Sequence, residues 1–213
     1  MLLEMSFDAL TLVVVAANVL GGAMALPQAA KLVRSRRVDG VSPIWAGISA
    51  AANGWWVAYG LGTGDLGIVP VSVVSVTAYL AIAGYLVRFR TAPPARTAAV
   101  VALSALGIAV VPLLPLAIGG WAACGVALGA LYGVQLSPAV VAVHRAPDVS
   151  GVSATTWALA FLEAGLWGVY GFARVDVGLL SLAATGLAMS ALVLVRLYAR
   201  RPRRNPGLGF ATA

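Results

Sequence analysis

The chain has 213 residues, of which 61% are hydrophobic and only 10% charged, and its mean hydropathy is +0.95. So few charges cannot cover a soluble domain of this length, so the composition excludes one and points to a chain dissolved in lipid. The formal charge of +7 would suit a nucleic-acid partner, but the distribution of the basic residues argues against one, and none is expected.

Crossing a hydrocarbon core of about 30 Å takes roughly 20 apolar residues. Seven runs of that size occur, at residues 9 to 30, 43 to 62, 66 to 87, 97 to 117, 121 to 143, 153 to 173 and 176 to 195. The first follows Glu4 and Asp8 rather than a basic region and is too long for a signal-peptide core, so it reads as a span. The fourth and fifth form one uncharged block of twice the span length, divided here at Gly119 and Gly120. Cys124 is the single cysteine and has no partner within the chain. His144 is the single histidine, at the end of the fifth run, so no metal-binding cluster is expected. With no glycine-rich phosphate loop or nucleophile elbow either, neither catalysis nor a cofactor is expected. Lys31 is the only lysine, which excludes a retinal protein with a Schiff base in its last span.

Positive charge sets the orientation. With the N-terminus outside, the inner segments carry Lys31, Arg34, Arg36, Arg37, Arg88, Arg90, Arg96, Arg145, Arg196, Arg200, Arg201, Arg203 and Arg204, and the outer side carries Arg174 alone. The expectation is an integral protein of the plasma membrane, N-terminus outside and C-terminus cytoplasmic. The basic hairpin after the first span is then a topological anchor.

A constant shift of 111 residues aligns the two ends of the chain without a gap. Pro27 falls on Pro138, Arg34 on Arg145 and Val38 on Val149, and Gly40, Val41 and Ser42 fall on Gly151, Val152 and Ser153. Gly54, Trp56, Tyr59 and Gly60 fall on Gly165, Trp167, Tyr170 and Gly171, and Asp65 and Gly67 on Asp176 and Gly178. Chance matches between apolar segments involve Leu, Val and Ala, whereas these are Trp, Tyr, Pro, Gly and Asp, so the repeat is real. Each copy holds three spans. Direct fusion would invert the second copy, and the extra span between them restores a parallel orientation. The fold class is therefore an all-α membrane protein of two parallel three-helix bundles joined by a linker helix, with bundles at residues 1–92 and 120–199, the linker at 93–119 and a basic tail at 200–213. Parallel repeats of this kind place a solute pathway between the bundles, with its site near the midplane.

The Pro27-Gln28 pair, the "GVSP" entry to the second span, and "WVAYG" at 56 to 60 with "WGVYG" at 167 to 171 resemble the SWEET and SemiSWEET sugar transporters of the PQ-loop group over nearly the whole chain. The second copy has Ala139 where the first has Gln28. The resemblance implies a carrier of a small neutral solute, a mono- or disaccharide, working by alternating access and facilitated diffusion in the lipid bilayer, with a homo-oligomer compatible. It also implies hinges at Pro27, Pro43 and Pro138, with Ala154 at the fourth hinge position, and gating or packing roles for Tyr59, Gly60, Tyr170 and Gly171. Trp56 and Trp167 would face the cavity and stack on the C–H face of a sugar. Where the family carries asparagines in its third helices, this chain has Ser75 and, beside Gly186, Thr185.

Read from the residues themselves, Asn53 and Glu163 lie about midway along the second helix of each copy. A carboxylate at that depth costs roughly 2.5 to 3.5 kcal/mol, so such a group faces a cavity or a partner. Hydrogen bonds from Asn18 or Asn53 are one way to satisfy it. Trp45, Trp55, Trp121 and Trp157 lack matching tryptophans and are expected at the membrane interface or in packing. Two other functions stay open: a proton-coupled exporter of amino acids or related solutes using Glu163, and a non-transporting receptor or lipid-handling accessory protein.

Overall fold

The computed structural model describes residues 7–35, 41–145 and 154–199. Regular structure among these residues is helical: α1 (Phe7–Ser35), α2 (Pro43–Thr63), a 3-10 turn (Leu66–Ile68), α3 (Val69–Phe89), α4 (Pro94–Ala109), α5 (Leu113–Arg145), α6 (Ala154–Arg174) and α7 (Val177–Ala199). Three helices are long and apolar enough to cross a membrane by length and composition: Leu66–Phe89, Leu113–Arg145 and Val177–Ala199. Ala9–Met24 and Pro94–Ala109 are shorter apolar helices. Large apolar side chains such as Leu12, Val19, Leu61, Leu103, Ile118 and Val195 stand exposed on the helix faces. These apolar helices suggest a membrane-embedded protein.

Local sequence accounts for the boundaries. Ser42 caps α2 by accepting from Trp45 N–H at 3.3 Å, with Pro43 at the first helical position and Gly64 ending the helix in a left-handed conformation at φ 73°. The fourth and fifth expected spans differ, since α4 stops at Ala109 rather than running to residue 117 and α5 starts at Leu113 rather than at residue 121. Pro112 explains this, because it lacks an N–H and its ring disfavours helical backbone at Val111. The chain turns there through Val111 N–H to Ile108 O at 3.2 Å and Leu113 N–H to Val110 O at 3.3 Å. α5 then breaks at Gly120 (φ 63°, ψ −159°), the point where the uncharged block was divided.

α3 packs between α1 and α2, and α7 packs between α5 and α6. α4 lies against α2 and, less extensively, α3. Contacts between the two groups run from α1 to α6 and from α2 to α5, which are exchanged by the 111-residue shift. Small residues permit the close approaches: an added Cβ on Gly47 would fall 2.3 Å from Val101 O on α4, and one on Gly129 would fall 2.6 Å from Leu182 N on α7. Near the α2–α3 and α6–α7 turns the buried residues form one core shared by both groups, including Trp56, Tyr59, Leu128, Trp167, Tyr170 and Leu179. Toward the opposite end the buried clusters are separate, with Ile82 and Leu86 in one group and Val143 and Val193 in the other.

The two turns are built alike but filled unequally. Val175 stands at φ 54°, and its repeat mate is Gly64. A β-branched residue in the left-handed region costs roughly 1 to 2 kcal/mol, whereas glycine adopts it freely. Val175→Gly is therefore expected to stabilise the protein by about 1 kcal/mol, and Gly64→Val to destabilise it by a similar amount. Thermal unfolding of the detergent-solubilised variants checks both signs.

Candidate functional site

The α2–α3 and α6–α7 turns meet at one end of the molecule through two crossed contacts. Tyr59 of α2 donates its hydroxyl to Asp176 Oδ1 at 2.6 Å, and Tyr170 of α6 donates to Asp65 Oδ1 at 2.6 Å. The tyrosines are repeat mates, and so are the aspartates, so each half gives one donor and receives the other. Each aspartate also starts its own next element: Asp65 accepts from Gly67 N–H at 3.0 Å, and Asp176 from Leu179 N–H at 2.9 Å. Arg174 stands 3.6 Å from the other oxygen of Asp65. Gly67 and Gly178 make room, since a Cβ on either would fall within 2.8 Å of the incoming tyrosine oxygen. Tyr59 and Tyr170 thus tie the two turns to each other. Gly60 and Gly171 serve packing: a Cβ on Gly60 would fall 2.8 Å from Asp65 O, and one on Gly171 would fall 2.8 Å from Leu179 Cβ.

Below this closed end lies a cavity of about 340 Å³. Its walls come from α1, α2, α3, α5, α6 and α7, and six lining pairs are repeat mates: Gly21 and Tyr132, Met24 and Gln135, Trp45 and Thr156, Asn53 and Ala164, Trp56 and Trp167, and Val71 and Leu182. Trp56 and Trp167 are 5% and 2% exposed, so their indoles lie inside the protein rather than in an interfacial belt. Asn53, Ser75 and Glu163 also line the space. Asn53 Nδ2 donates to Ser49 O at 2.8 Å, and Trp167 Nε1 donates to Glu163 Oε1 at 3.3 Å. The walls extend toward the other end of the helices, where the lining residues Ala139 and Thr156 are exposed.

Several expectations need correction. Thr185 does not line the cavity; a Cβ on Gly133 of α5 would fall 2.9 Å from its Cγ2, so Thr185 sits in the α5–α7 seam. The mate of Ser75 is Gly186, and one residue along a helix is a rotation of about 100°, which turns Thr185 away. The space at Gly186 is taken by Tyr132, whose ring lies 3.0 Å from the position of an added Cβ. Asn18 does not reach Glu163. It bridges the start of α3 instead, donating to Gly67 O at 2.9 Å and accepting from Val71 N–H at 2.8 Å. Trp45 and Trp157, expected at an interface or in packing, both line the cavity. Trp55 donates to Ala109 O at 2.9 Å and Trp121 packs on Gly62, which are packing roles as expected.

The three prolines differ. Pro43 occupies the first turn of α2, where no intrahelical hydrogen bond is lost, so it cannot weaken the helix as a hinge. Pro138 lies inside α5 and removes the bond to Val134 O, which the Ser137 hydroxyl replaces at 2.9 Å. Pro27 and Gln28 lie within α1, but their side chains fall outside the described residues, and Gly40, Gly151 and the tail at 200–213 lie outside them altogether. The site residues that the sequence reading passed over are Asp65 and Asp176; their signal was the Asp-x-Gly match at the repeat spacing.

Removing a hydrogen bond to a charged group costs about 1.5 to 3 kcal/mol. Tyr59→Phe and Tyr170→Phe should each lower stability by that order, and a double-mutant cycle of Tyr59→Phe with Asp176→Asn should be non-additive, as read by unfolding in detergent. Among the described residues no group of three or more His, Cys, Asp or Glu could hold a metal. Comparison of the chain with protein-family models, curated proteins and solved structures finds no match.

Proposed function

We propose that the protein is a seven-helix membrane carrier of a small solute, built as two parallel three-helix bundles (residues 1–92 and 120–199) with α4 in the linker, and working by alternating access. The observation that carries this reading is the cavity lined from both repeats by mated residues and latched at one end by the crossed Tyr–Asp pairs. A site on the approximate twofold axis contacts both halves, so rocking one half against the other exposes it to either side. With the basic segments in the cytoplasm, the latched end is the outer one and the cavity faces inward. The separate buried clusters at the inner end agree with that conformation. The membrane is then the plasma membrane, with the N-terminus outside.

The family resemblance implies a sugar as solute, and the paired indoles suit a sugar ring. The hydrogen-bonding side is thin by comparison, with Ser75 and Gly186 at the positions where asparagines would stand. Glu163 on the cavity wall favours a second reading, coupling of transport to protons.

Uptake and counterflow of labelled solutes in proteoliposomes test the carrier reading. Asp65→Asn and Tyr170→Phe loosen the outer latch and are expected to raise the share of outward-facing protein, read as faster labelling of Ser72→Cys, a buried position on the cavity wall, by an external membrane-impermeant thiol reagent. Solute binding with no uptake in any panel member would overturn the carrier in favour of a receptor. For a neutral solute under proton coupling, Glu163→Gln abolishes accumulation driven by a pH gradient while equal-concentration exchange continues; facilitated diffusion of a neutral solute shows no such accumulation in either protein and leaves exchange unchanged.

A further inference from the structure

Charge in the cavity is unbalanced. Glu163 lies on its wall, 9% exposed, with one indole N–H at 3.3 Å, and no lysine, arginine or histidine among the described residues lines the space. From α1 the neighbour is backbone, since a Cβ on Gly21 would fall 2.6 Å from Glu163 Oε1. From α3 and α5 the titratable groups on the wall are the phenols Tyr79 and Tyr132, and from α7 the lining residue is Leu182. A carboxylate taken out of water with so little compensation must carry a proton or meet a cation that arrives with the solute.

The rest of the wall is suited to the second case. Trp45, Trp56, Tyr79, Tyr132, Trp157 and Trp167 surround the space. Their faces carry the negative side of the ring quadrupole and attract ammonium groups, tryptophan most strongly. A sugar needs several fixed donors and acceptors; the wall offers Ser75, Gln135 and Thr156, whereas the Asn53 amide donates to Ser49 O and the Ser72 hydroxyl to Ile68 O. A zwitterionic amino acid would bring a carboxylate of its own, and the described walls offer it no cation. A volume of about 340 Å³ is at the small end for a ligand site and holds one compact solute.

We propose that the solute is a small organic monocation, a primary amine or quaternary ammonium without a carboxylate, held by the charge of Glu163 and the ring faces of Trp56 and Trp167. The inference rests on the carrier reading of the same cavity and names its substrate class. Nothing covalent is involved: the cation sheds part of its hydration shell and the carboxylate gains its missing partner.

The test is titration of the purified full-length protein in detergent with tetramethylammonium, ethylammonium and glucose at constant ionic strength, followed by tryptophan fluorescence and calorimetry, with uptake of the same compounds into proteoliposomes alongside. Saturable binding of either ammonium ion is expected, weakened at least tenfold by Glu163→Gln and by Trp56→Ala. Glu163→Asp, which keeps the charge, and Trp56→Phe, which keeps a ring face, should recover part of it; circular dichroism and size exclusion verify that every variant folds. Ammonium binding that Glu163→Gln leaves unchanged overturns the proposal. Binding and uptake of glucose with no ammonium binding also overturns it, while leaving the carrier reading intact. If none of the three compounds binds or is taken up, the solute class proposed here and the cavity's role as a solute site fall together.

Discussion

The arrangement of the two halves depends on a pair of crossed hydrogen bonds, Tyr59 to Asp176 and Tyr170 to Asp65, each 2.6 Å long. Between an O–H donor and a carboxylate this length marks a strong bond, and excluding water strengthens it further. Because each half is both donor and acceptor, neither bond can slip without the other noticing the displacement. The shared core packs directly beneath, with Trp56 edge-on to Tyr59 at 5.4 Å and Trp167 edge-on to Tyr170 at 6.0 Å. The tyrosines therefore touch the latch with their oxygens and the cavity tryptophans with their rings. The cavity wall and the crossed bonds at this end of the molecule are thus joined through two tyrosines packed edge to face on the tryptophans.

Much of this was legible because the repeat uses uncommon residue types. Aligned Trp, Tyr, Asp and Gly positions identified Trp56 and Trp167 as counterparts, and both line the cavity. The helix positions followed from apolar run length, and Ser42, Pro43 and Gly64 account for the ends of α2. The failures have one geometric origin. Repeat register fixes which residue corresponds to which, but a neighbour one position away lies about 100° around the helix. Thr185 was taken for its neighbour Gly186 and faces α5 instead. Trp45 and Trp157 were set aside because neither has a matching tryptophan, yet the mate of Trp45 is Thr156, next to Trp157, and the cavity is wide enough to receive both. Asn18 was one of the partners considered for Glu163, but the open N–H and C=O groups at the start of α3 hold it. The break at Val110 to Pro112 was hidden because a proline inside an apolar run leaves the hydropathy high.

The halves are mated in backbone and unequal in chemistry. Where the first copy has Gly21, the second has Tyr132, which fills the space over Gly186; the room left at Gly21 is taken by Glu163. Three unlike pairs, Gly21 with Tyr132, Ser75 with Gly186 and Ala52 with Glu163, give the second copy both the added bulk, on α5, and the charge, on α6. A ligand in such a site has a preferred orientation, which a fully symmetric cavity could not impose.

The connection between the halves has a mechanical consequence. α4 is packed on α2 and α3, so it belongs to the first half as a rigid passenger. Between it and the long part of α5 the chain is interrupted twice, at the Val110–Pro112 turn and at Gly120 with φ 63°. A continuous helix across this region would act as a stiff rod and resist rotation of one half against the other. In the proposed carrier, two interruptions separated by a short helical piece would serve as a universal joint, taking up torsion in backbone dihedrals while every packed seam on either side keeps its register.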